Sequence, residues 1–118
     1  MRLTDQNYTH ELLQSTEPVV LFFYATFCGP STLLLDFVGD AKVEFEGVAR
    51  IVPVDVEECP RMAHALQIKG TPTVMLLDNG TPIASRIGTS TYDQFCDWIE
   101  DAVKKINEPE TTKGGKKK

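Results

Sequence analysis

Six consecutive residues, Val19-Val20-Leu21-Phe22-Phe23-Tyr24, carry no charged or small polar side chain. A strand with one wet face alternates apolar and polar residues, whereas an unbroken apolar run marks a strand covered on both faces. The run is too short for a typical buried helix and is bounded by Glu17-Pro18 and Gly29-Pro30, so it reads as a central strand. Such a strand demands a layer above and a layer below. A chain of 118 residues is long enough for one sheet with helices on both faces and too short for two domains.

The rest of the chain supplies those layers. Asp5 to Gln14 is predicted helical, with Thr4 as N-cap and Tyr8, Leu12 and Leu13 on one side. From Pro30 to about Phe45, the set Leu33, Leu34, Phe37, Val38, Ala41 and Phe45 recurs at helical spacing. Arg50 to Val56 is a strand in which Pro53 points to an edge or a bulge. Cys59 to Leu66 is a short helix with Pro60 in its first turn. Thr73 to Leu77 and Pro82 to Ile87 are strands joined through Asn79-Gly80, a strong hairpin signal. Tyr92 to Ile106 closes the fold as a helix, with Thr91 and Gln94 as a capping box and Phe95, Ile99, Ala102 and Ile106 as its inner stripe. Strands alternating with helices and ending in a hairpin specify an α/β fold with a mixed central sheet sandwiched by helices. Residues 1–106 are expected to form this domain and residues 107–118 a disordered, lysine-rich tail.

Charge narrows the partners. The tail's four lysines against two glutamates leave a formal −7 on residues 1–106 out of −5 for the whole chain. An acidic body is the wrong surface for nucleic acid. No apolar run approaches the ~20 residues of a membrane span, and Met1-Arg2-Leu3-Thr4-Asp5 lacks the apolar stretch of a signal peptide, so the expected address is the cytoplasm. His10 and His64 are isolated and match no metal-ligand spacing, so no metal is expected.

Cys28, Cys59 and Cys96 are far apart in sequence, and three thiols cannot all pair. Cys28 stands out by position. It lies where the central strand gives way to a helix, facing the unsatisfied N–H groups of the first turn and the positive end of the helix dipole. Both favour the nucleophilic thiolate. Gly29 and Pro30 let the chain turn tightly and enter the helix with a preset φ. Cys59 is a candidate for exposure and intermolecular oxidation, and Cys96 for a buried packing role.

The segment Phe23-Tyr24-Ala25-Thr26-Phe27-Cys28-Gly29-Pro30 resembles the active-site approach of the thioredoxin family. Gly70-Thr71-Pro72-Thr73 is similar to that family's cis-proline loop, and Asn79-Gly80 to its hairpin. Gly88 falls where the family keeps a glycine, and Val54 to Cys59 resembles a stretch of some animal thioredoxins. The match spans about residues 3 to 106. The resemblance implies a thioredoxin fold and a thiol–disulfide oxidoreductase acting on protein disulfides. In that role Cys28 attacks, and Phe27, Gly29, Pro30, Gly70, Thr71, Pro72 and Gly88 line the substrate groove. It implies no organic cofactor, and electrons from a thioredoxin-reductase-like protein or a small thiol.

Departures from the family pattern are as informative. The resolving cysteine falls at Ser31, the buried acid at Phe22, its lysine partner at Pro53, the tryptophan before the cysteine at Phe27 and the mid-helix proline at Asp36. A hydroxyl cannot resolve a mixed disulfide, so turnover within one chain is impaired. Three readings of Ser31 stand: an engineered trap, a natural monothiol enzyme, or a redox-inactive thioredoxin-like protein-binding module. An iron–sulfur role is disfavoured because Pro30 and the Gly70–Thr73 loop follow the thioredoxin pattern.

Overall fold

The computed structural model describes residues 2–26 and 35–107. In chain order the elements are α1 (Tyr8–Gln14), β1 (Val19–Tyr24), α2 (Leu35–Glu44), β2 (Arg50–Asp55), α3 (Pro60–Ala65), β3 (Thr73–Asp78), β4 (Thr81–Ile87) and α4 (Tyr92–Asn107). The described strands form one sheet in the order β2-β1-β3-β4. β1 runs parallel to β2 and antiparallel to β3, and β3 pairs antiparallel with β4.

The unbroken apolar run of β1 is divided by the two-residue period of a strand. Val20 and Phe22 enter one core with Val74 and Leu76, covered by Val38 and Ala41 of α2 and by Phe95, Ile99 and Ala102 of α4. Val19, Leu21 and Phe23 enter the other with Val52, Val54 and Met75, covered by Leu12 of α1 and Met62 of α3. Each large side chain buried in this way contributes about 1.5–3 kcal/mol relative to exposure. Two cores on one sheet are the mixed α/β sandwich anticipated from β1.

Local signals behave as their chemistry requires. Asn79 and Gly80 take φ of +52° and +81°, the left-handed pair of a tight hairpin turn. A Cβ at Gly80 would meet Leu13 Cδ2 at 2.8 Å, so glycine is needed there for space as well. Leu13 covers this turn while remaining 58% exposed, whereas its neighbour Leu12 is buried. The capping box is closed at both ends, with Thr91 N donating to Gln94 Oε1 at 3.0 Å and Gln94 N to Thr91 Oγ1 at 3.1 Å. Thr4 Oγ1 accepts from Asn7 N at 3.1 Å, capping a turn that precedes the regular helix. Helix α1 itself begins at Tyr8, three residues later than expected.

Pro53 sits within β2, an edge strand of the described sheet. Arg50 N donates to Pro18 O at 2.9 Å and Val56 N to Tyr24 O at 3.0 Å, which places the even-numbered N–H groups on the β1 side. Pro53 occupies an outward position, where its missing N–H costs no ladder bond. None of the described helices is long and apolar enough to cross a membrane.

Candidate functional site

Phe27, Cys28, Gly29, Pro30 and Ser31 lie outside the described residues, as does the predicted first turn of the helix after them. The site is therefore built from the elements around that segment. Strand β1 delivers the chain to Ala25, which is buried, and to Thr26, which is exposed. Thr26 Oγ1 donates to Glu57 Oε1 at 2.6 Å, tying the end of β1 to the loop after β2. Glu57 N in turn donates to Asp55 Oδ1 at 2.8 Å, the kind of side-chain turn that carboxylates favour. The Tyr24 phenol beside this acidic loop is pushed above its ordinary pKa by burial first and by Asp55 next.

The loop carrying Gly70, Thr71 and Pro72 approaches the same end of the sheet. The Thr71–Pro72 peptide is cis. Thr73 Oγ1 donates to Gly70 O at 2.6 Å, and Gly88 N donates to Pro72 O at 2.9 Å. Gly88 has φ +113°, a conformation that strains any L side chain. Gly70 differs: an added Cβ meets nothing within 4 Å and its φ is not left-handed, so the fold does not itself require glycine there. Ala25, Gly70 and Thr71 share the wall of one open depression of about 230 Å³ with Val56, Ala63, Ile68 and Lys69. The structure thus brings the described groove candidates Gly70, Thr71, Pro72 and Gly88 into one hydrogen-bonded unit. Ala25, on the depression's wall, stands three residues before Cys28.

The other two cysteines are not reactive surfaces. Cys59 is 4% exposed, with Sγ donating to Leu3 O at 3.6 Å, which corrects the expectation of an exposed thiol. Burial foremost, then the nearby Asp5, raises its pKa and disfavours the thiolate. Helix α3 turns this residue inward because Met62, three positions on, must reach the core. Cys96 is 6% exposed, as a packing residue should be, and its Sγ lies 3.7 Å from Glu44 Oε1. Burial raises its pKa too.

Five contributors were not anticipated from the sequence: Glu57, which meets Thr26 across 31 residues, and Val56, Ala63, Ile68 and Lys69, which share the wall of the depression with Gly70 and Thr71. No local pattern announces the Thr26–Glu57 contact, whereas Ile68 and Lys69 directly precede Gly70 in the chain. Among the described residues, no group of His, Cys, Asp or Glu is arranged to hold a metal ion.

A family model described as Thioredoxin matches residues 1–101. The thioredoxin of Rickettsia felis is 29% identical over 101 residues, covering 86% of this chain and 96% of its own. Thioredoxin 1 of a Nostoc species is 30% identical over 87 residues, 74% of this chain and 81% of that one. A bifunctional thioredoxin reductase/thioredoxin of Mycobacterium leprae is 26% identical over 107 residues, 91% of this chain but 23% of that protein.

Proposed function

Because the chain belongs to the thioredoxin family, we propose that it exchanges thiols with protein disulfides through Cys28 as a monothiol. Thiol–disulfide chemistry is what its thioredoxin relatives support. The observation that carries the finer reading is the meeting of Ala25, Gly70 and Thr71 on one depression, just ahead of Cys28 in the chain.

In this reading the Cys28 thiolate attacks one sulfur of a substrate disulfide. A Cys28–substrate disulfide forms, the substrate S–S bond breaks, and the second substrate sulfur leaves as thiolate and takes a proton from water. Ser31 stands at the resolving position and can donate a hydrogen bond to the Cys28 thiolate, but it cannot break the new bond. Release needs an outside thiol, whose sulfur attacks the mixed disulfide, returns Cys28 to thiolate and takes up the substrate half. A small thiol or a thioredoxin-reductase-like protein is the source of those electrons. The relative from Mycobacterium leprae, named for both reductase and thioredoxin, supports the second.

The test is capture. Reduced protein mixed with insulin should accumulate a disulfide on Cys28 that persists until glutathione is added. Ser31→Cys should restore turnover, and Cys28→Ser should abolish capture. If no adduct forms with either protein and Cys28 alkylates at the rate of an ordinary thiol, the reading fails. Partners that survive Cys28→Ser in a pulldown would then assign the groove to a binding module.

A further inference from the structure

Two surface depressions among the described residues carry carboxylates. The one along the start of β2 is lined by Glu17 and Glu46, and the one beyond Pro53 by Asp55 and Glu58. Three adjoining depressions carry none. The first is the candidate site itself. The second, about 350 Å³, is a trough between the end of α3 and β4, with Met75, Pro82 and Ile87 in its wall. The third, also about 350 Å³, opens around His64 and Gln67. All three share Ile68 and Lys69.

That shared ridge is built into the end of α3. Gln67 adopts φ +58°, with Gln67 N donating to His64 O at 3.0 Å and Ile68 N to Ala63 O at 2.9 Å. These are the paired bonds of a left-handed helix stop, here with a residue that is not glycine. Lys69 is exposed and forms no ion pair with a described residue, and Ile87 is 62% exposed beside it in the trough. A cation with no ion pair among the described residues, set between an apolar trough and the candidate site's depression in a body of net negative charge, is complementary to an acidic and apolar ligand.

The geometry points to Ile68–Lys69 as the specificity ridge of a docking surface for an extended partner segment. That segment presents an acidic side chain to Lys69 and an apolar side chain, two positions away, to the trough at Met75 and Ile87. An extended segment points alternate side chains to the same side, so the two-position spacing puts both toward the protein. The inference rests on the thiol–disulfide reading only in placing the partner's disulfide at the first depression; the docking itself requires no reaction. Charges at such a rim select among partners more than they add affinity.

Nuclear magnetic resonance titration with two soluble peptides tests it. One carries Glu and Leu two positions apart, and the other has Lys in place of Glu; both have Ser where a cysteine would stand. Backbone signals of Lys69 and Ile87 should move with the first peptide, which should bind about tenfold more tightly than the second. Lys69→Glu should invert the preference, added salt should shrink it, and Ile87→Ser should weaken both peptides. Equal affinities, shifts centred on Asp55 and Glu58, or no binding by either peptide overturns the proposal. A concentration-dependent dimer that Ile87→Ser abolishes would assign the trough to a second copy and overturn it too. Neither peptide can exchange disulfides, so failure of Cys28 to capture insulin and failure of docking are separate results.

Discussion

Phe22 and Pro53 are register partners across the parallel β1–β2 ladder. They occupy the positions at which the family resemblance puts a buried acid and its lysine, so the pair is missing as a unit. Phe22 is 1% exposed, its ring stacked on Tyr24 at 6.4 Å and edge-on to Phe95 at 6.3 Å between centroids. A carboxylate in that aromatic pocket would be desolvated with no partner, since Pro53 has no charge to offer. Phe22→Asp should therefore cost several kcal/mol, comparable to the whole stability of a domain this size. Adding Pro53→Lys should recover about 1–2 kcal/mol, because register partners project to the same face. Urea midpoints in sucrose, which favours the compact state, would measure this. A double variant no more stable than Phe22→Asp alone would show that the two positions do not couple.

Asp5 closes a helix that lies far from it in sequence. Its Oδ1 accepts from Met62 N at 2.9 Å and its Oδ2 from Arg61 N at 3.1 Å, across 57 and 56 residues. Cys59, at the N-cap of α3, makes no side-chain cap of its own. The carboxylate thus satisfies two orphan donors at the positive end of the helix. Asp5→Ala should destabilise the protein by about 1–2 kcal/mol, and Asp5→Asn by less, read as shifts in the urea midpoint at constant slope. An unmoved midpoint would mean that water replaces the cap.

Alkaline pH should loosen the fold. The Cys59 and Cys96 thiols and the Tyr92 phenol all stand above their ordinary pKa values, burial being the first cause in each. Tyr92 also donates to Glu44 Oε1 at 2.9 Å. The unfolded chain ionises these groups first, so their stabilisation is complete below about pH 8.5 and is lost as pH rises toward the folded values. The urea midpoint should fall between about pH 8.5 and 10.5. Cys59→Ala and Cys96→Ala should each flatten the decline while lowering stability at neutral pH. A pH-independent midpoint would contradict the shifts.

Gln67 bears the only left-handed φ of a described residue that is neither glycine nor asparagine. Left-handed backbone costs such a residue about 1–2 kcal/mol, and glycine escapes it at some loss of unfolded-state entropy. Gln67→Gly should raise stability by up to about 1 kcal/mol, detected as a higher thermal midpoint. Lower stability would show that the glutamine side chain contributes more than its backbone costs.

The layered plan was legible because it follows from short-range rules. An unbroken apolar β1, the Asn79-Gly80 turn and the Thr91/Gln94 box each state their conformation within a few residues, and each forms where expected. Helix ends were less legible, as at α1, because the Thr4 cap and Asn7 make a turn before the regular helix begins. The exposure of Leu13 and the burial of Cys59 were not legible for a different reason: which side of a short helix faces inward depends on what packs against it.

By itself the chain dictated the order of strands and helices and put a serine, Ser31, where the family resemblance implies a resolving thiol, since residue identity and near-neighbour spacing suffice for these. Tertiary structure alone decided that Asp5 caps α3, that Thr26 meets Glu57, and that Ile68 and Lys69 stand between the site depression and an apolar trough. The first two contacts join residues 31 to 57 positions apart, and the third needs α3, β3 and β4 packed together; distance along a chain says nothing about distance in space until the sheet has brought its connecting loops together.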